Sequence, residues 1–359
     1  MNDIAHEETE LALKVMERKV SNVYLQASKE VKAKLDDYVR RFEIKDKLKQ
    51  QAVKDGKITN KEYQDWLKGQ LMMEKRWREM LDTVATDYVN ADKLARSIIF
   101  DYQPSVYALN HNYGTFQVEK GALVDTSYTL YDAQTVERLF KDDKGSFIPA
   151  PGKKLRKEID EGRAFEWNKQ RVQSAMLQSI IQGESIGNIA SRVSREVGDY
   201  DRKAMIRNAR TITTGVENAG RVDSYKRANE MGIETQKQWL ATLDSRTRHW
   251  HRELDGVAVD NDKPFENEYG EIMYPGDPTA EPGNIYNCRC TLIACIKGFE
   301  RDLSDLSLRR DENLGDMTYE EWKAEKESTS DPITKQDEIE SNIRKAYNSL
   351  YKYYSKKDK

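Results

Sequence analysis

The amino-acid sequence predicts a mainly α fold, with elongated helical N-terminal and middle regions, a small α+β domain near the C terminus and a helical tail. Three observations support this prediction. Apolar residues recur at helical spacing through long, charge-rich stretches. Between Ile233 and Phe299 the composition changes, and this region holds all three cysteines, several prolines and several glycines. Charged residues make up 34% of the chain and hydrophobic residues 38%, which is typical of helical modules with much solvated surface.

The first region, residues 1–145, is predicted to be a helical assembly arm. One long helix, or two end to end, runs from about Glu8 to Lys54, and Asp55-Gly56 ends it. Its apolar stripe is narrow, and a long charged helix with such a stripe needs a partner surface. Thr59 and Glu62 have the spacing of a capping box, in which each side chain bonds the other residue's backbone amide. Further helices are expected from this box to about residue 82, then over 86–101, and then from Pro104 onward. A short strand is expected over 126–130.

The remaining chain divides into three predicted regions. A loop over residues 141–151, with one glycine and two prolines, separates the arm from a helical middle region, 150–232. In that region Gly198 is expected to end one helix and Gly232 the next. A compact α+β domain follows over 233–300. In the extension, 301–359, Thr318 and Glu321 match a second capping box and Asp331-Pro332 begins a last helix before a basic end.

Several classes of protein are disfavoured by the sequence. The first residues lack a basic stretch followed by an apolar run, so we expect no secretory signal. No segment approaches the roughly 18 apolar residues that a membrane span requires. The three cysteines lie within eight positions and are odd in number, which argues against a disulfide scaffold and favours synthesis in a reducing cytosol.

The densest chemical signal lies in the small α+β domain. Asp244 is a predicted N-cap of a short helix that carries Arg246, Arg248 and His251, and Gly256 is expected to end it with a positive φ. Residues 287–293 are predicted to form a strand, which would direct Cys288 and Cys290 to the same face.

These motifs together resemble a known family. The run from about Arg207, NARTITTGVENAGRVDSYKRANEMG, through WLATLDSRTRHWHRELDG to NIYNCRCTL is similar to the head morphogenesis domain shared by the Mu F protein and the minor head proteins of SPP1-like phages. The motifs are specific as an ordered set, and they cover the end of the region 150–300 most strongly. The family-motif residues are Asp244, Arg246, Thr247, Arg248, His251, Asp255, Gly256, Asn287, Cys288, Arg289 and Cys290.

The resemblance implies a minor structural protein of a tailed bacteriophage. Such a protein would be made in the cytoplasm of the host bacterium, enter the procapsid near the portal, and act in head assembly and in DNA packaging or delivery. Its expected partners are the portal protein and other capsid or scaffolding proteins, with no membrane. The compact domain would be a folded anchor, and the long helices would dock on the portal.

A structural zinc ion is one interpretation of His251, Cys288 and Cys290, because two thiolates and an imidazole are good zinc ligands. Asp244, His249 or Cys295 could supply a fourth ligand. Two cysteines separated by one residue on an extended strand fit one tetrahedron poorly, and they also fit a disulfide poorly. We therefore expect buried cysteines and a hydrogen-bonded His251, and no cofactor, with zinc as the alternative.

Three arginines of the domain also have two interpretations. Arg246, Arg248 and Arg289 could form ion pairs with Asp244 and Asp255 that hold the loops in place, or they could bind a phosphate. Because no glycine-rich loop stands beside them, the ion-pair network is favoured.

Contact with double-stranded DNA is a second functional hypothesis, in which the protein accompanies the packaged genome. Residues 185–227 carry nine Lys or Arg against five Asp or Glu. Non-specific contact with phosphates would use Arg202, Lys203, Arg207 and Arg210. A charged helix face is more often simply solvated.

An enzyme is not expected. Some head proteins of this type are fused to ADP-ribosyltransferases, but the two motifs of this chain that resemble theirs, at 328–330 and 338–340, are too close together to form two walls of a pocket. No nucleophile elbow accompanies the histidines. A metal-dependent processing enzyme stays the weakest alternative, because few metal ligands are concentrated here.

Overall fold

The structure is a computed structural model of the 359-residue chain. It describes residues 3–40, 42–72, 75–140, 161–182, 184, 186–297, 309–310 and 312–328. The predicted loop over 141–151, the helix expected from Asp331 and the basic C-terminal end lie outside these residues. Within them the mainly α fold is confirmed, with a small amount of sheet near the C terminus.

The described residues form three very long helices and seven shorter ones. The long helices are α1 (Ile4–Arg40), α4 (Lys75–Ala122) and α7 (Ile186–Glu230). The shorter ones are α2 (Glu43–Lys54), α3 (Asn60–Met72), α5 (Ala133–Phe140), α6 (Glu161–Ile181), α8 (His249–Arg252), α9 (Pro282–Ile285) and α10 (Tyr319–Ser328). No described helix is both long and apolar enough to cross a lipid bilayer.

The strands form three small antiparallel sheets. They are β1 (Val124–Asp125), β2 (Thr235–Leu240), β3 (Ala258–Asp260), β4 (Phe265–Asn267), β5 (Gly270–Ile272), β6 (Thr291–Ile296) and β7 (Arg309–Arg310). In the largest sheet β2 lies between β3 and β6, and Trp239 pairs with Leu292. The other two sheets are the hairpin β4–β5 and the pair β1–β7.

The chain forms two compact units, each made of separated stretches. The sheet unit contains Met1–Val15, Phe100–Arg156 and Arg207–Lys359, and the helical unit contains Met16–Ile99 and Lys157–Ile206. The helices α1, α4 and α7 contribute residues to both. The consecutive domain boundaries inferred from the sequence, 1–145, 150–232, 233–300 and 301–359, stay predictions.

The core of the helical unit takes up the C-terminal part of the apolar stripe of α1. Val31, Leu35 and Val39 are buried there against residues of α4, α6 and α7, including Trp77 and Met176. In this part of the helix the stripe finds its partner surface within the chain. Burying such side chains contributes roughly 1.5–3 kcal/mol each, which stabilises a helix that its sequence alone would not.

Three predicted helix breaks are wrong. The helices expected to end near residue 82 and to begin at 86 are one helix, because α4 runs without interruption from Lys75 to Ala122. Packing explains the other two. Pro104 lies inside α4, which continues to Ala122 although an internal proline costs about 3 kcal/mol. The buried Val106 and Tyr107 that follow it provide the compensation. Gly198 lies inside α7, where an added Cβ would collide with the Ser28 hydroxyl. This glycine permits a close approach of two helices of the helical unit and does not end one.

Capping boxes precede both α3 and α10. In the box before α3, the Thr59 amide donates to Glu62 Oε2 over 2.7 Å and the Glu62 amide donates to Thr59 Oγ1 over 3.2 Å. The equivalent bonds before α10 are 2.8 and 3.3 Å long. Both capping boxes are confirmed. Asp55 and Gly56 follow the end of α2 as predicted, and Gly56 has a positive φ.

The strand predicted over 126–130 is wrong, because β1 ends at Asp125. Side chains of α4 bond the backbone of this segment in place of a neighbouring strand. Glu119 accepts the Thr126 amide over 2.9 Å, and Asn112 bonds both the amide and the carbonyl of Tyr131 over 2.9 and 3.0 Å. These bonds satisfy an irregular segment whose polar groups would otherwise be buried without partners.

Candidate functional site

The family-motif residues lie in the sheet unit, around the end of β2 and the start of β6. The chain leaves β2 at Leu240, turns through residues 241–248 into α8, and returns to β3. The segment before β6 comes back beside this turn because β6 pairs with β2 along its whole length. Two stretches that are about 40 residues apart in sequence are thereby held together.

An ion pair between Asp244 and Arg289 joins these two stretches. The two nitrogens Nη1 and Nη2 of Arg289 lie 2.6 and 2.7 Å from the two carboxylate oxygens, so the pair is bidentate. The hydrogen bonds from Arg289 hold the pKa of Asp244 well below its usual range, and the Arg246 amide contributes further. This geometry favours the ion-pair interpretation over phosphate binding, since the Arg289 guanidinium already holds a carboxylate.

The prediction that Asp244 caps the short helix is wrong. Helix α8 begins at His249 and its N-cap is Arg248, which has no side-chain capping bond. Asp244 Oδ1 instead accepts the Arg246 amide over 2.9 Å within the turn. Asp244 and Arg246 therefore belong to a separate turn that precedes the helix, and Asp244 stabilises that turn.

The other motif residues of the turn bond nearby backbone. Thr247 donates to the carbonyl of Thr242, and Arg248 donates to the carbonyl of Tyr286. Asp255 accepts the Ala241 amide over 2.8 Å. Gly256 has a φ of +77° and donates its amide to Trp239 over 2.9 Å. Arg246 is exposed and lies 3.5 Å from Asp244.

His251, Cys288 and Cys290 form a buried cluster. Each sulfur lies 3.6 Å from Nδ1 of His251. The predicted strand over 287–293 is wrong in its first half, because β6 begins at Thr291 and Asn287 has a φ of +55°. This left-handed residue turns the chain before the two cysteines, whose sulfurs both face the imidazole.

The two thiols differ in acidity because they share a hydrogen bond. That bond raises the pKa of Cys288, and burial raises it further. The same bond lowers the pKa of Cys290, and the hydrogen bond with His251 adds to this effect while burial opposes it. Cys290 is therefore the first of the two to become a thiolate.

Helix α7 supplies buried polar groups that the sequence analysis did not identify. Every residue from Thr211 to Tyr225 is buried. Arg221 donates to both Asp3 oxygens, to Asn110 Oδ1 over 2.9 Å and to the Leu292 carbonyl over 2.8 Å. The sequence carries one indication of this burial, because small and polar residues occur on all sides of the helix. Such a helix can be buried only if each of its polar groups has a hydrogen-bond partner.

The four residues proposed for DNA contact have different surroundings. Arg202 lies 3.2 Å from Asp199, and Arg210 lies 2.9 Å from Glu10. Lys203 and Arg207 are exposed, and the Arg207 guanidinium stacks on the ring of Tyr286. Non-specific DNA contact through these residues stays a prediction, and two of its four cations are already paired with carboxylates.

Comparison with known proteins gives one family match. The family described as Phage Mu protein F like protein matches residues 170–293. This range ends within β6 and includes the Asp244–Arg289 pair and the cluster of His251, Cys288 and Cys290.

Three relatives share parts of the sequence. Minor head protein GP7 of Bacillus phage SPP1 is 26% identical over 324 residues, which cover 87% of this chain and 93% of that protein. NAD(+)--arginine ADP-ribosyltransferase EFV of Enterococcus faecalis strain V583 is 29% identical over 233 residues, which cover 62% of this chain and 46% of that protein. An uncharacterised protein of Haemophilus influenzae is 28% identical over 131 residues, 36% of this chain and 26% of its own length.

The match to the enterococcal protein thus spans about half of that relative's length, whereas the match to the phage protein spans nearly all of it. No solved structure matches this chain.

Proposed function

Since the chain belongs to the phage minor head protein family and has a structural role in the virus head, we propose that it enters the procapsid near the portal and acts in head assembly and in DNA packaging or delivery. The observation that carries this proposal is the similarity across 93% of the SPP1 minor head protein. A likeness of that extent covers the long helices as well as the motif region, so it supports a shared role for the whole chain. We therefore expect the protein to be located in the virus head.

We do not propose an ADP-ribosyltransferase activity for this chain. The region shared with the enterococcal protein covers 46% of that protein, and much of the same region is shared with a phage head protein. We expect the shared region to form a folded head domain in this chain. The bonded motif side chains, such as Asp244 with Arg289, suit a rigid anchor of this kind.

The docking surface that we assign to the portal lies at the start of α1. Leu11 and Val15 are 60% and 45% exposed, and they lie one helical turn apart on the same side. Leu13 and Met16 of the same helix are buried, so α1 has a second, exposed apolar strip besides its packed one. This strip belongs to the sheet unit, which also contains most of the family-matched region. Burying these two side chains against a partner would favour binding, because it removes apolar surface from water.

The test is co-sedimentation of the full-length protein with purified portal rings. We expect the wild type to sediment with the rings and the double variant Leu11→Asp/Val15→Asp to lose most of this binding. The matched control is Ile44→Asp/Leu48→Asp, an equally spaced exposed pair on α2, which is expected to bind as the wild type does. A truncation of residues 1–145 is unsuitable because it removes two of the three stretches that build the sheet unit.

Undiminished binding by the Leu11/Val15 variant would refute the role assigned to this strip. Failure of the wild type to bind portal rings would refute portal docking itself, while leaving the family assignment intact. Circular dichroism of each variant establishes that the loss of binding does not come from unfolding.

A further inference from the structure

We propose that His251, Cys288 and Cys290 bind one Zn²⁺ ion through Nδ1 and the two Sγ atoms. The three side chains are buried, and their ligand atoms lie within 4.8 Å of one another. Imidazole nitrogen and thiolate sulfur are the ligands that zinc prefers in proteins. The proposal is independent of portal docking, because it concerns the interior of the sheet unit.

The spacing of the three atoms fits a tetrahedral ion. With Zn–S near 2.3 Å and Zn–N near 2.0–2.1 Å, a tetrahedron places nitrogen and sulfur about 3.5–3.6 Å apart. Both nitrogen–sulfur distances are 3.6 Å. A hydrogen bond accounts for only one of them, because Nδ1 has a single lone pair and two sulfurs lie equally close to it. An ion between the three atoms accounts for both.

The orientation of His251 also fits a metal ligand. Its other nitrogen, Nε2, lies 3.2 Å from Oδ1 of the buried Asn284. That oxygen accepts a hydrogen bond, so the ring proton resides on Nε2 and the lone pair of Nδ1 points toward the sulfurs. Asn267 donates to the same oxygen over 3.0 Å and fixes the amide. Metal-bound histidines are held in this way by a hydrogen bond from the nitrogen that does not bind the ion.

The local backbone conformation makes the two cysteines compatible with one tetrahedral ion. On an extended strand, two cysteines separated by one residue would diverge from one tetrahedron. Here Asn287 has a left-handed conformation, and the Cys290 amide folds back to donate to Cys288 Sγ over 3.4 Å. This amide hydrogen bond stabilises negative charge on the sulfur, as metal thiolates require.

We assign the fourth ligand to a water molecule, because each of the other candidate side chains is engaged elsewhere. Among the described residues the group of close metal ligands contains three members. Asp244 is held by Arg289, His249 is exposed beside Glu253, and Cys295 bonds Gln238. A zinc ion with two cysteines, one histidine and one water is an established coordination.

The ion would act as a clamp between two parts of the motif region. His251 lies on α8 and the cysteines lie in the segment before β6, 37 and 39 residues further along the chain. Closing such a loop stabilises the folded state because the ion binds the folded chain and not the unfolded one.

The first experiment measures the metal content of the full-length protein produced with zinc in the medium. We expect one zinc per chain by elemental mass spectrometry, and a loss of most of it in Cys288→Ser and in Cys290→Ser. The matched control is Cys295→Ser, which changes a cysteine outside the cluster and should retain the zinc. Wild-type protein without zinc, or a Cys288→Ser variant that retains a full equivalent, would overturn the proposal.

A second experiment uses only the wild type, so it does not depend on the folding of variants. The zinc is removed with a chelator and replaced with Co²⁺, which should give thiolate-to-cobalt charge-transfer absorption. A protein that gives no such absorption, or in which a disulfide joins Cys288 and Cys290 after purification, contradicts the site.

Discussion

Arg221 and Asp3 form a buried, two-point ion pair across 218 positions of the chain. The distances from Nη1 to Oδ2 and from Nη2 to Oδ1 are 2.6 and 2.8 Å, and the guanidinium is fully buried. Burial alone would raise the pKa of Asp3, but the charge and hydrogen bonds of Arg221 outweigh it and lower the pKa. The N-terminal end of α1 is thereby fastened to the buried part of α7.

Replacing Asp3 with alanine should destabilise the protein by about 3–5 kcal/mol, because it leaves a buried guanidinium without its main partner. The measurement is urea denaturation followed by circular dichroism. Asp36→Ala is the control, since Asp36 forms a half-exposed pair with Lys32 within α1 that contributes under about 1 kcal/mol. Equal midpoints for the two variants would show that the Asp3 pair does not stabilise the fold.

The stability should also fall between pH 6.5 and pH 9 because of His6. The charge of Glu217, whose carboxylate lies 2.7 Å from Nδ1, raises the pKa of His6 from 6.5 to about 9 although burial opposes this. A raised pKa means that the stabilisation is complete below pH 6.5 and is lost as the pH passes about 9, a total of about 3 kcal/mol.

His6→Gln removes this titration, so its stability should change little over the same pH range. The measurement is the urea midpoint at pH 6, 7.5 and 9 for both proteins. Parallel pH profiles for the wild type and the variant would rule out the His6–Glu217 pair as the cause.

Features set by neighbouring residues were predictable from the sequence. The bonds of Thr59 with Glu62 and of Thr318 with Glu321 form within four residues, so spacing alone identified them. The mainly α fold followed from the period of apolar residues in the same way.

Features set by distant residues were not predictable. Pro104 and Gly198 looked like helix ends because the packing that keeps α4 and α7 continuous comes from elsewhere in the chain. The sequence predicts an extended strand for the cysteines, because an asparagine favours a positive φ only weakly and the conformation of Asn287 depends on its surroundings. The burial of Arg221 was not predictable, because its partner Asp3 is 218 positions away.

Gly220 is required for the close approach of α7 and α4 in the sheet unit. A Cβ at this position would lie 2.7 Å from the carbonyl oxygen of Tyr107 and 3.2 Å from the amide nitrogen of His111, which are backbone atoms and cannot rotate away. Gly220→Ala should therefore destabilise the protein by about 1–3 kcal/mol, although alanine favours a helix by about 1 kcal/mol.

The control for this prediction is Gly69→Ala in α3, where an added Cβ meets no atom within 4 Å. That change should raise the melting temperature, because only the helix preference acts. The two substitutions are chemically the same and are expected to have opposite signs. A stabilised Gly220→Ala variant would mean that α4 and α7 are further apart than described.

Glu119 should determine whether α10 stays docked on α4. Its fully buried carboxylate accepts the Trp322 indole N–H over 2.7 Å and lies 3.1 Å from Lys326 Nζ, and both of these partners belong to α10. Glu119→Ala would remove one carboxylate from the buried lysine, which also lies 2.5 Å from Asp125, and would leave the indole without an acceptor.

We expect Glu119→Ala to expose α10, so that limited trypsin digestion cuts after Lys323 and Lys326 several times faster than in the wild type. Glu320→Ala, which changes an exposed carboxylate in the first turn of α10, should be cut at the wild-type rate. Hydrogen exchange of residues 319–328 gives an independent measurement of the same opening. Unchanged protection of this helix in Glu119→Ala would show that the aromatic contacts of Trp322 with Phe116 and Tyr128 hold it without the carboxylate.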